Sequence, residues 1–220
     1  MKKVAMLLVC MMVASGVVMS QFKVTSVGGG LKGAFLLGPT GATEAQSKGG
    51  AGMGIGIGFA AKVRASMGTM PVRWAANVSY DIWQGKGGSP ERTATQGILG
   101  IGFGAEYPLK EMKMGSMSLW PYVNGEIGIN VFPAVTLDPA VAGYTPNSGT
   151  RIGLGLGGGV EYQLKEGLNL DVALKLGLAN LVGKGSDASS YLPYSSSTTA
   201  IDEGNWMDLG IRVGVNYALK

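Results

Sequence analysis

The sequence predicts an all-β protein, an eight-stranded antiparallel up-and-down transmembrane β-barrel, and two observations carry this prediction. First, apolar residues alternate with glycine or polar residues through eight segments, which is the two-residue period of a strand with unlike faces. Second, the tract Gly-[Ala/Val]-[Glu/Asn]-Tyr-x-Leu-Lys occurs at 104–110, 159–165 and 214–220, with its tyrosines 55 residues apart each time. This long, even period is typical of repeated strand units in a meandering sheet.

The eight segments are separated by connections of alternating length. Long connections are expected near 38–50, 84–95, 132–149 and 181–204, and short ones near 65–70, 109–117 and 164–166. This alternation and the even strand number place both chain ends at the short-turn end, as in membrane barrels. In chain order the predicted strands are 24–37, 51–64, 71–83, 96–108, 118–131, 150–163, 167–180 and 205–219.

One face of each predicted strand is bulky and apolar, whereas the other combines glycine with scattered charges. The fifth strand is the least regular, because Val123 and Ile127 share one phase, Trp120 and Tyr122 share the other, and Pro121 predicts a bulge or an edge-like start. The bulky face runs from Met53 to Phe59 in the second strand, Val72 to Tyr80 in the third, Ile101 to Tyr107 in the fourth, Ile152 to Tyr162 in the sixth, Leu168 to Leu176 in the seventh and Met207 to Tyr217 in the eighth.

The two-residue period alone does not show which face points inward. A soluble ligand-binding barrel has the same alternation with its apolar face inside, but its exterior should then be dense in Lys, Glu and Thr. Glycine instead suits the crowded interior of a small barrel, and a bulky aliphatic face suits lipid. We therefore expect the glycine face to line the lumen.

This assignment places charged side chains of both signs in the lumen, where ion pairs should fill the space. We expect pairs between Arg73 and Glu106, between Glu126 and Arg151, and between Asp171 and Arg212. Either Lys32 or Lys175 should meet Asp208, since closure makes the first and last strands neighbours. The predicted lumen cations are Lys32, Arg73, Arg151, Lys175 and Arg212, and the predicted lumen anions are Asp81, Glu106, Glu126, Glu161, Asp171 and Asp208.

Tyr107, Tyr162 and Tyr217 stand at matching strand ends. Tyrosine is apolar in its ring and polar at its hydroxyl, so side chains of this kind collect where a membrane meets water. The three tyrosines therefore predict an aromatic girdle at one interface.

The first twenty residues have the pattern of a secretory signal peptide. Lys2 and Lys3 precede an apolar run, and Val18-Met19-Ser20 resembles a cleavage site. The predicted division is a signal peptide at 1–20 and the barrel at 21–220. After residue 20 no apolar run has the roughly 18–20 residues that a membrane helix needs.

The composition excludes several classes of chemistry. The chain has no histidine, so Ser-His or Cys-His nucleophiles and His-ligated metals are excluded, and its one cysteine, Cys10, lies in the predicted signal peptide. The net charge of +4 becomes +2 without Lys2 and Lys3, so no nucleic-acid partner is expected. The glycines at 153–158 match a dinucleotide motif only formally, because no helix is predicted to follow. We expect no enzyme activity, no cofactor and no metal.

The last predicted strand carries a motif of a known family. The pattern Arg212-x-Gly214-x-x-Tyr217-x-Leu219 resembles the C-terminal assembly signal of Gram-negative outer-membrane proteins, although the chain ends in Leu219-Lys220 and not in the common terminal Phe. Residues 22–220 as a whole resemble the outer-membrane β-barrels typified by the OmpA transmembrane domain and OmpX, small barrels of the porin family. The resemblance implies outer-membrane lipid, periplasmic chaperones and the barrel-assembly machinery as partners, the last reading Arg212, Gly214, Tyr217 and Leu219.

These observations lead to one expected function and two alternatives. We expect a non-enzymatic outer-membrane barrel with a structural or surface-contact role exerted through its long extracellular loops. The first alternative is a narrow channel for small solutes, and the second is a soluble periplasmic lipid-binding barrel.

Overall fold

The computed structural model describes residues 22–37, 53–87, 91–115, 117–140, 148–183, 192–193, 200–201 and 204–219. The predicted signal peptide at 1–20 and the loop at 38–50 lie outside these residues, as do parts of the predicted loops at 84–95, 132–149 and 181–204. Within the described residues, no helix has the length and apolar character to cross a membrane.

Eight long strands form one closed antiparallel barrel, which confirms the predicted fold class. Each strand pairs with its neighbours along the chain, and the last strand pairs with the first from Ser26↔Ala218 to Leu36↔Asp208. The barrel strands are β1 Phe22–Leu36, β2 Ile55–Met67, β3 Arg73–Gly87, β4 Arg92–Pro108, β5 Met117–Phe132, β6 Gly149–Lys165, β7 Leu168–Val182 and β8 Met207–Ala218.

The described residues also contain four short strands outside the eight barrel strands. Met112–Met114 pairs with the beginning of β5, and Thr136–Asp138 pairs with β4. Leu192–Pro193 and Ala200–Ile201 pair with each other in a separate two-stranded sheet. The short turns after β2, β4 and β6 each contain a glycine in the left-handed region, namely Gly68, Gly115 and Gly167, where other residues would be strained.

The long loop predicted at 84–95 was wrong. Strands β3 and β4 continue their pairing through this segment to Gly87↔Arg92, so only residues 88–91 connect them. The outward apolar face ends at Ile82 and resumes at Leu99, whereas the backbone ladder continues between them. The outward apolar face is thus shorter than the paired backbone, so the sequence pattern ends before the strand does.

No bulge occurs at Pro121, because β5 pairs with β6 in continuous register from Leu119 to Phe132, whereas its pairing with β4 begins only at Tyr122, as an edge-like start implies. Proline can occupy a strand where its missing N–H is not needed by the ladder, and its carbonyl accepts a hydrogen bond from Leu109 N at 2.8 Å. The irregular pairing lies elsewhere: between Val24 and Ser26, between Ile152 and Leu154, and between Gln163 and Lys165.

The bulky apolar face points outward around the barrel. Leu31 is 75% exposed, and Ile57 and Leu156 are each 68% exposed. Met53 departs from this pattern, because it lies before β2 and is completely buried in an apolar cluster within the described chain. The phase of β2 therefore does not extend back to Met53.

Glycines line much of the inward face because neighbouring strands approach closely there. A Cβ on Gly104 of β4 would lie only 2.8 Å from the Cα of Glu126 on β5, and it would also collide with the carbonyl oxygen of Gly125. Gly33 of β1, which has the outward phase of Leu31, has open space where its Cβ would be. The closeness of the strands at Gly104 depends on the absence of a side chain.

We predict that Gly104→Ala lowers the free energy of unfolding by about 1–3 kcal/mol, the usual cost of inserting atoms into a packed site. Gly33→Ala is the control on the outward face, where the added methyl meets nothing, and should change stability by less than about 0.5 kcal/mol. Urea titrations of both variants folded in detergent micelles measure the difference. Equal unfolding midpoints would contradict the close strand contact at Gly104.

Candidate functional site: the charged interior of the barrel

The carboxylate of Asp171, on β7, is the centre of an ion cluster near the short-turn end of the barrel. Its Oδ2 accepts hydrogen bonds from Arg212 Nη2 at 2.6 Å, Asn216 Nδ2 at 2.9 Å and Lys62 Nζ at 3.0 Å. The Tyr122 hydroxyl donates to Oδ1 at 2.7 Å. Asp171 is 1% exposed, so these protein groups replace water around its charge.

Two further carboxylates complete the cluster. Glu106 on β4 accepts from Arg64 Nε at 2.5 Å and from Lys62 Nζ at 2.8 Å. Glu161 on β6 accepts from Arg73 Nη1 at 2.9 Å and also from Arg64 Nη1. We call this group the short-turn cluster; it consists of Lys62, Arg64, Arg73, Glu106, Tyr122, Glu161, Asp171, Arg212 and Asn216.

The aromatic ring of Tyr122 lies among the cations of the short-turn cluster. Lys62 Nζ is 5.2 Å from the ring centroid, and the guanidinium carbons of Arg64 and Arg73 are at 5.3 and 5.5 Å. These distances permit cation–π attraction, which helps to hold several like charges in a small space. Tyr122 is only 3% exposed and therefore also fills the lumen sterically.

A second set of ion pairs lies in the middle of the lumen. Lys32 Nζ contacts Asp81 Oδ2 at 2.7 Å, and Lys175 Nζ contacts Glu126 Oε1 at 2.5 Å. Asn77 Nδ2 donates to the other oxygen of Glu126 at 2.9 Å. All of these groups line a cavity of about 50 Å³, and all except Asp81 also line a second cavity of about 70 Å³; each cavity has room for a few water molecules.

Aromatic side chains fill the lumen toward its other end. The ring of Trp206 makes edge-to-face contacts with Trp83 at 5.5 Å and with Phe132 at 5.6 Å between centroids. Met53 and Ile98 are buried in the same apolar cluster. The described interior thus runs from an apolar plug, through small polar cavities, to the short-turn cluster.

Two of the ion pairs expected from the sequence are present in the structure. Arg73 Nη2 lies 3.3 Å from Glu106 Oε2, and Arg212 Nη2 lies 2.6 Å from Asp171 Oδ2. Both pairs join strands that are neighbours in the barrel wall.

The other expected pairs were wrong. Glu126 contacts Lys175 and not Arg151, whose guanidinium packs over the ring of Phe132 at 5.7 Å. Lys32 contacts Asp81, so neither lysine forms its ion pair with Asp208, which is nevertheless buried in the lumen at 5% exposure. Lys32–Asp81 and Lys175–Glu126 both join strands two apart, because the narrow lumen lets long side chains reach past the adjacent strand.

Sequence reasoning missed four members of the short-turn cluster: Lys62, Arg64, Tyr122 and Asn216. Lys62 and Arg64 have the same phase in β2 as Gly56 and Gly58, which belong to the inward face. Extending the alternation to the end of this strand would have identified both cations. Tyr122 and Asn216 share the phase of Glu126 and Arg212 in the same way.

Tyr107 and Tyr217 are outward-facing, at 49% and 55% exposure, and Tyr162 is half-buried. In β8, Arg212 and Gly214 lie on the inward phase, whereas Tyr217 and Leu219 are exposed. The aromatic girdle and the assembly signal remain predictions at these positions. The described residues contain no group of three or more side chains suited to hold a metal ion.

Comparison with known proteins finds chains that are similar to this one in structure, but none that is similar in sequence. No protein-family model matches the sequence, and no curated protein matches it. The crystal structure of Neisserial surface protein A (NspA) has a TM-score of 0.47 at 18% identity, covering 90% of this chain and 97% of that chain. The structure of Ail, the attachment invasion locus protein of Yersinia pestis, in complex with the heparin analogue sucrose octasulfate, has a TM-score of 0.43 at 12% identity, covering 89% and 98%. At these values neither assigns a function here, and the barrel is established by its own strand pairing.

We predict that Asp171→Asn lowers the free energy of unfolding by about 3–5 kcal/mol, because it leaves buried cations uncompensated. The control is Glu111→Gln, which removes an exposed carboxylate in the β4–β5 connection and should change stability by less than about 0.5 kcal/mol. Urea titration of the folded barrel measures both variants. A cost for Asp171→Asn no larger than that of the control would contradict a coupled cluster.

Proposed function

We propose that the protein is a non-enzymatic integral outer-membrane β-barrel, of the kind typified by the OmpA transmembrane domain and OmpX. Its role is structural or one of surface contact, through the chain segments that connect strands at the end opposite the short turns. One observation carries the proposal: a closed barrel exposes bulky aliphatic side chains outward and buries its charges inside.

Physical chemistry supports a membrane around this exterior. Soluble monomers rarely expose contiguous apolar patches above a few hundred Å², whereas here every barrel strand contributes exposed Val, Ile, Leu, Phe or Tyr side chains. A strand crossing a bilayer at a tilt needs about 9–11 residues. The barrel strands have 12 to 17 residues, so each is long enough to cross. Closure leaves no edge between neighbouring barrel strands, as hydrocarbon requires.

The filled interior supports a structural role over transport. Buried aromatic side chains around Trp83 and Trp206 occupy the lumen toward one end, and the short-turn cluster occupies it toward the other, which supports a closed lumen. Ions could pass only if a buried ion pair separated, and breaking such a pair is costly.

The two alternative functions, a narrow channel and a soluble lipid-binding barrel, require different interiors. A narrow channel is supported by the polar cavities near Lys32 and Glu126, and requires the ion pairs around them to rearrange. A soluble lipid-binding barrel needs an apolar cavity inside and a polar exterior. The observed arrangement is the reverse, with Leu31 and Leu156 outside and Asp171 inside.

The proposed location implies the proposed partners. Outer-membrane lipid would surround the apolar exterior, and periplasmic chaperones would shield the open edges of β1 and β8 until they pair. The barrel-assembly machinery would read the end of β8 at Tyr217 and Leu219 as an added edge strand. Resemblance, together with the outward position of both side chains, supports this reading.

Membrane fractionation followed by unheated gel electrophoresis tests the proposed location. The protein should sediment with outer membranes, require detergent for extraction, and migrate differently before and after boiling, because a closed barrel resists unfolding by detergent. Recovery in the soluble periplasmic fraction would overturn the proposal in favour of the soluble barrel.

Planar-bilayer recording separates a filled barrel from a channel. We predict no large, stable conductance steps for the protein, because packed side chains occupy the lumen toward both ends. Glu126→Gln should leave this result unchanged, as should the exposed control Glu111→Gln. Steady conductance whose size or ion selectivity changes with Glu126→Gln, and not with the control, would establish the channel instead.

A further inference from the structure

The charged side chains in the middle of the lumen do not balance one another. Lys32 Nζ lies 2.7 Å from Asp81 Oδ2, and Lys175 Nζ lies 2.5 Å from Glu126 Oε1. Each lysine thus neutralises one carboxylate. A third carboxylate, that of Asp208 in β8, lies beside these pairs and forms no ion pair within the described part of the chain. The middle of the lumen therefore carries one excess negative charge.

Asp208 is buried, although no described protein group replaces the water around its carboxylate. The residue is only 5% exposed, and its Oδ2 is buried without a hydrogen-bond partner among the described residues. Asp171, the buried aspartate of the short-turn cluster, instead accepts hydrogen bonds from Lys62, Tyr122 and Arg212. A buried carboxylate without such partners is costly. An unsatisfied buried polar atom of this kind indicates a bound water molecule or ion.

The carboxylate of Asp208 borders the cavity of about 50 Å³, which we call the middle-lumen cavity. Its cross-strand partner on β7 is Gly177, and a Cβ at that position would lie only 2.7 Å from Asp208 Oδ1. The glycine therefore leaves space beside the carboxylate that a side chain would fill.

Neutral oxygen atoms are available on the wall of the same cavity. Asn77 Nδ2 donates to Glu126 Oε2 at 2.9 Å, and Asn130 Nδ2 donates to the carbonyl oxygen of Ala179 at 2.8 Å. With their nitrogens engaged in this way, both amides retain their Oδ1 atoms as acceptors, and the Ser79 hydroxyl lies on the same wall. Hard cations bind to oxygen ligands of these types, together with water.

We propose that the middle-lumen cavity binds one alkali-metal cation, sodium or potassium, on the carboxylate of Asp208. A single positive charge balances the excess negative charge of the surrounding side chains. A cavity with room for a few water molecules also has room for one such ion with part of its hydration shell. The site is formed by lumen contacts alone and therefore does not depend on the proposed membrane location.

The charge and the ligands of the site favour a monovalent ion over a divalent one. Calcium takes about six to eight oxygen ligands, and the sites that bind it tightly supply several carboxylates. The described residues contain no group of three or more acidic, histidine or cysteine side chains that could hold such an ion. The ammonium groups of Lys32 and Lys175 also line the cavity and would repel a second positive charge.

Cation-dependent stability of the full chain tests the site. The wild type, Asp208→Asn and the exposed control Glu111→Gln are folded in an uncharged detergent, and mobility on unheated gels verifies each fold. Unfolding by urea is then measured in sodium, potassium or choline chloride at equal ionic strength, because the bulky choline ion does not fit the cavity. Asparagine has nearly the shape of aspartate, and Asp208 has no ion pair to lose, so Asp208→Asn removes the charge and little else.

Once the site is filled, each tenfold rise in free sodium or potassium should lower the unfolding equilibrium constant of the wild type about tenfold relative to choline. Glu111→Gln should respond as the wild type does, and Asp208→Asn should unfold equally in all three salts. An equal response of Asp208→Asn and the wild type would overturn the assignment to Asp208.

The comparison of salts in the wild type alone is sufficient to overturn the site, whether or not Asp208→Asn folds. Equal unfolding of the wild type in sodium, potassium and choline would exclude a bound alkali cation. If that stability also fell as the pH rose from about 6 to 8, and did not fall in Asp208→Asn, the charge of Asp208 would be balanced by a proton instead.

Discussion

The carboxylate of Asp171 ties four strands together across the interior of the barrel. Its hydrogen-bond partners come from β2, β5 and β8, while Asp171 itself belongs to β7. Removing a carboxylate from water costs several kcal/mol, and only a complete set of partners offsets that cost. Glu106 and Glu161 share the cations of Asp171, so the short-turn cluster acts as one electrostatic unit. Its geometry is therefore specified collectively, by strands far apart in the chain.

The glycines on the inward face and the charged side chains in the lumen depend on each other for packing. Small residues such as Gly104 and Gly157 let neighbouring strands approach closely, so little volume remains between opposite walls. A few long side chains can then bridge that volume, as Arg64 does between β2 and β6. The same alternation sends most bulky aliphatic residues of the strands outward, with Ile98 in the buried apolar cluster as an exception. A charged interior and an apolar exterior are thus coupled, and together they favour lipid as the surroundings.

Much of the fold could be predicted because the relevant signal is local. The alternation around Gly100 and Ile101 shows which side chain points inward without any knowledge of the neighbouring strands. The prediction failed where the local signal weakens. Gln84 and Thr95 belong to paired strands although no apolar face marks them, and Met53 is buried although the phase of β2 suggested otherwise. The inward residues of the candidate site were predicted from the sequence, except for Lys62, Arg64, Tyr122 and Asn216. The two-residue alternation also assigns these four residues to the inward face, but the prediction did not extend the alternation to them.

The sequence by itself determined the strand count, the antiparallel order and the face on which each charge lies, since these follow from a two-residue period and from connection lengths. Only the tertiary structure decided which charges meet. Adjacent-strand reasoning places Arg73 with Glu106, but it cannot anticipate Lys32 with Asp81 or Lys175 with Glu126, which join strands two apart. The reason is geometric: strands in a closed barrel are tilted and staggered, and the lumen is narrow enough for long side chains to cross it. The partner of each charged side chain is therefore set by its position along the barrel axis and by the length of the side chain, and not by the order of the strands along the chain.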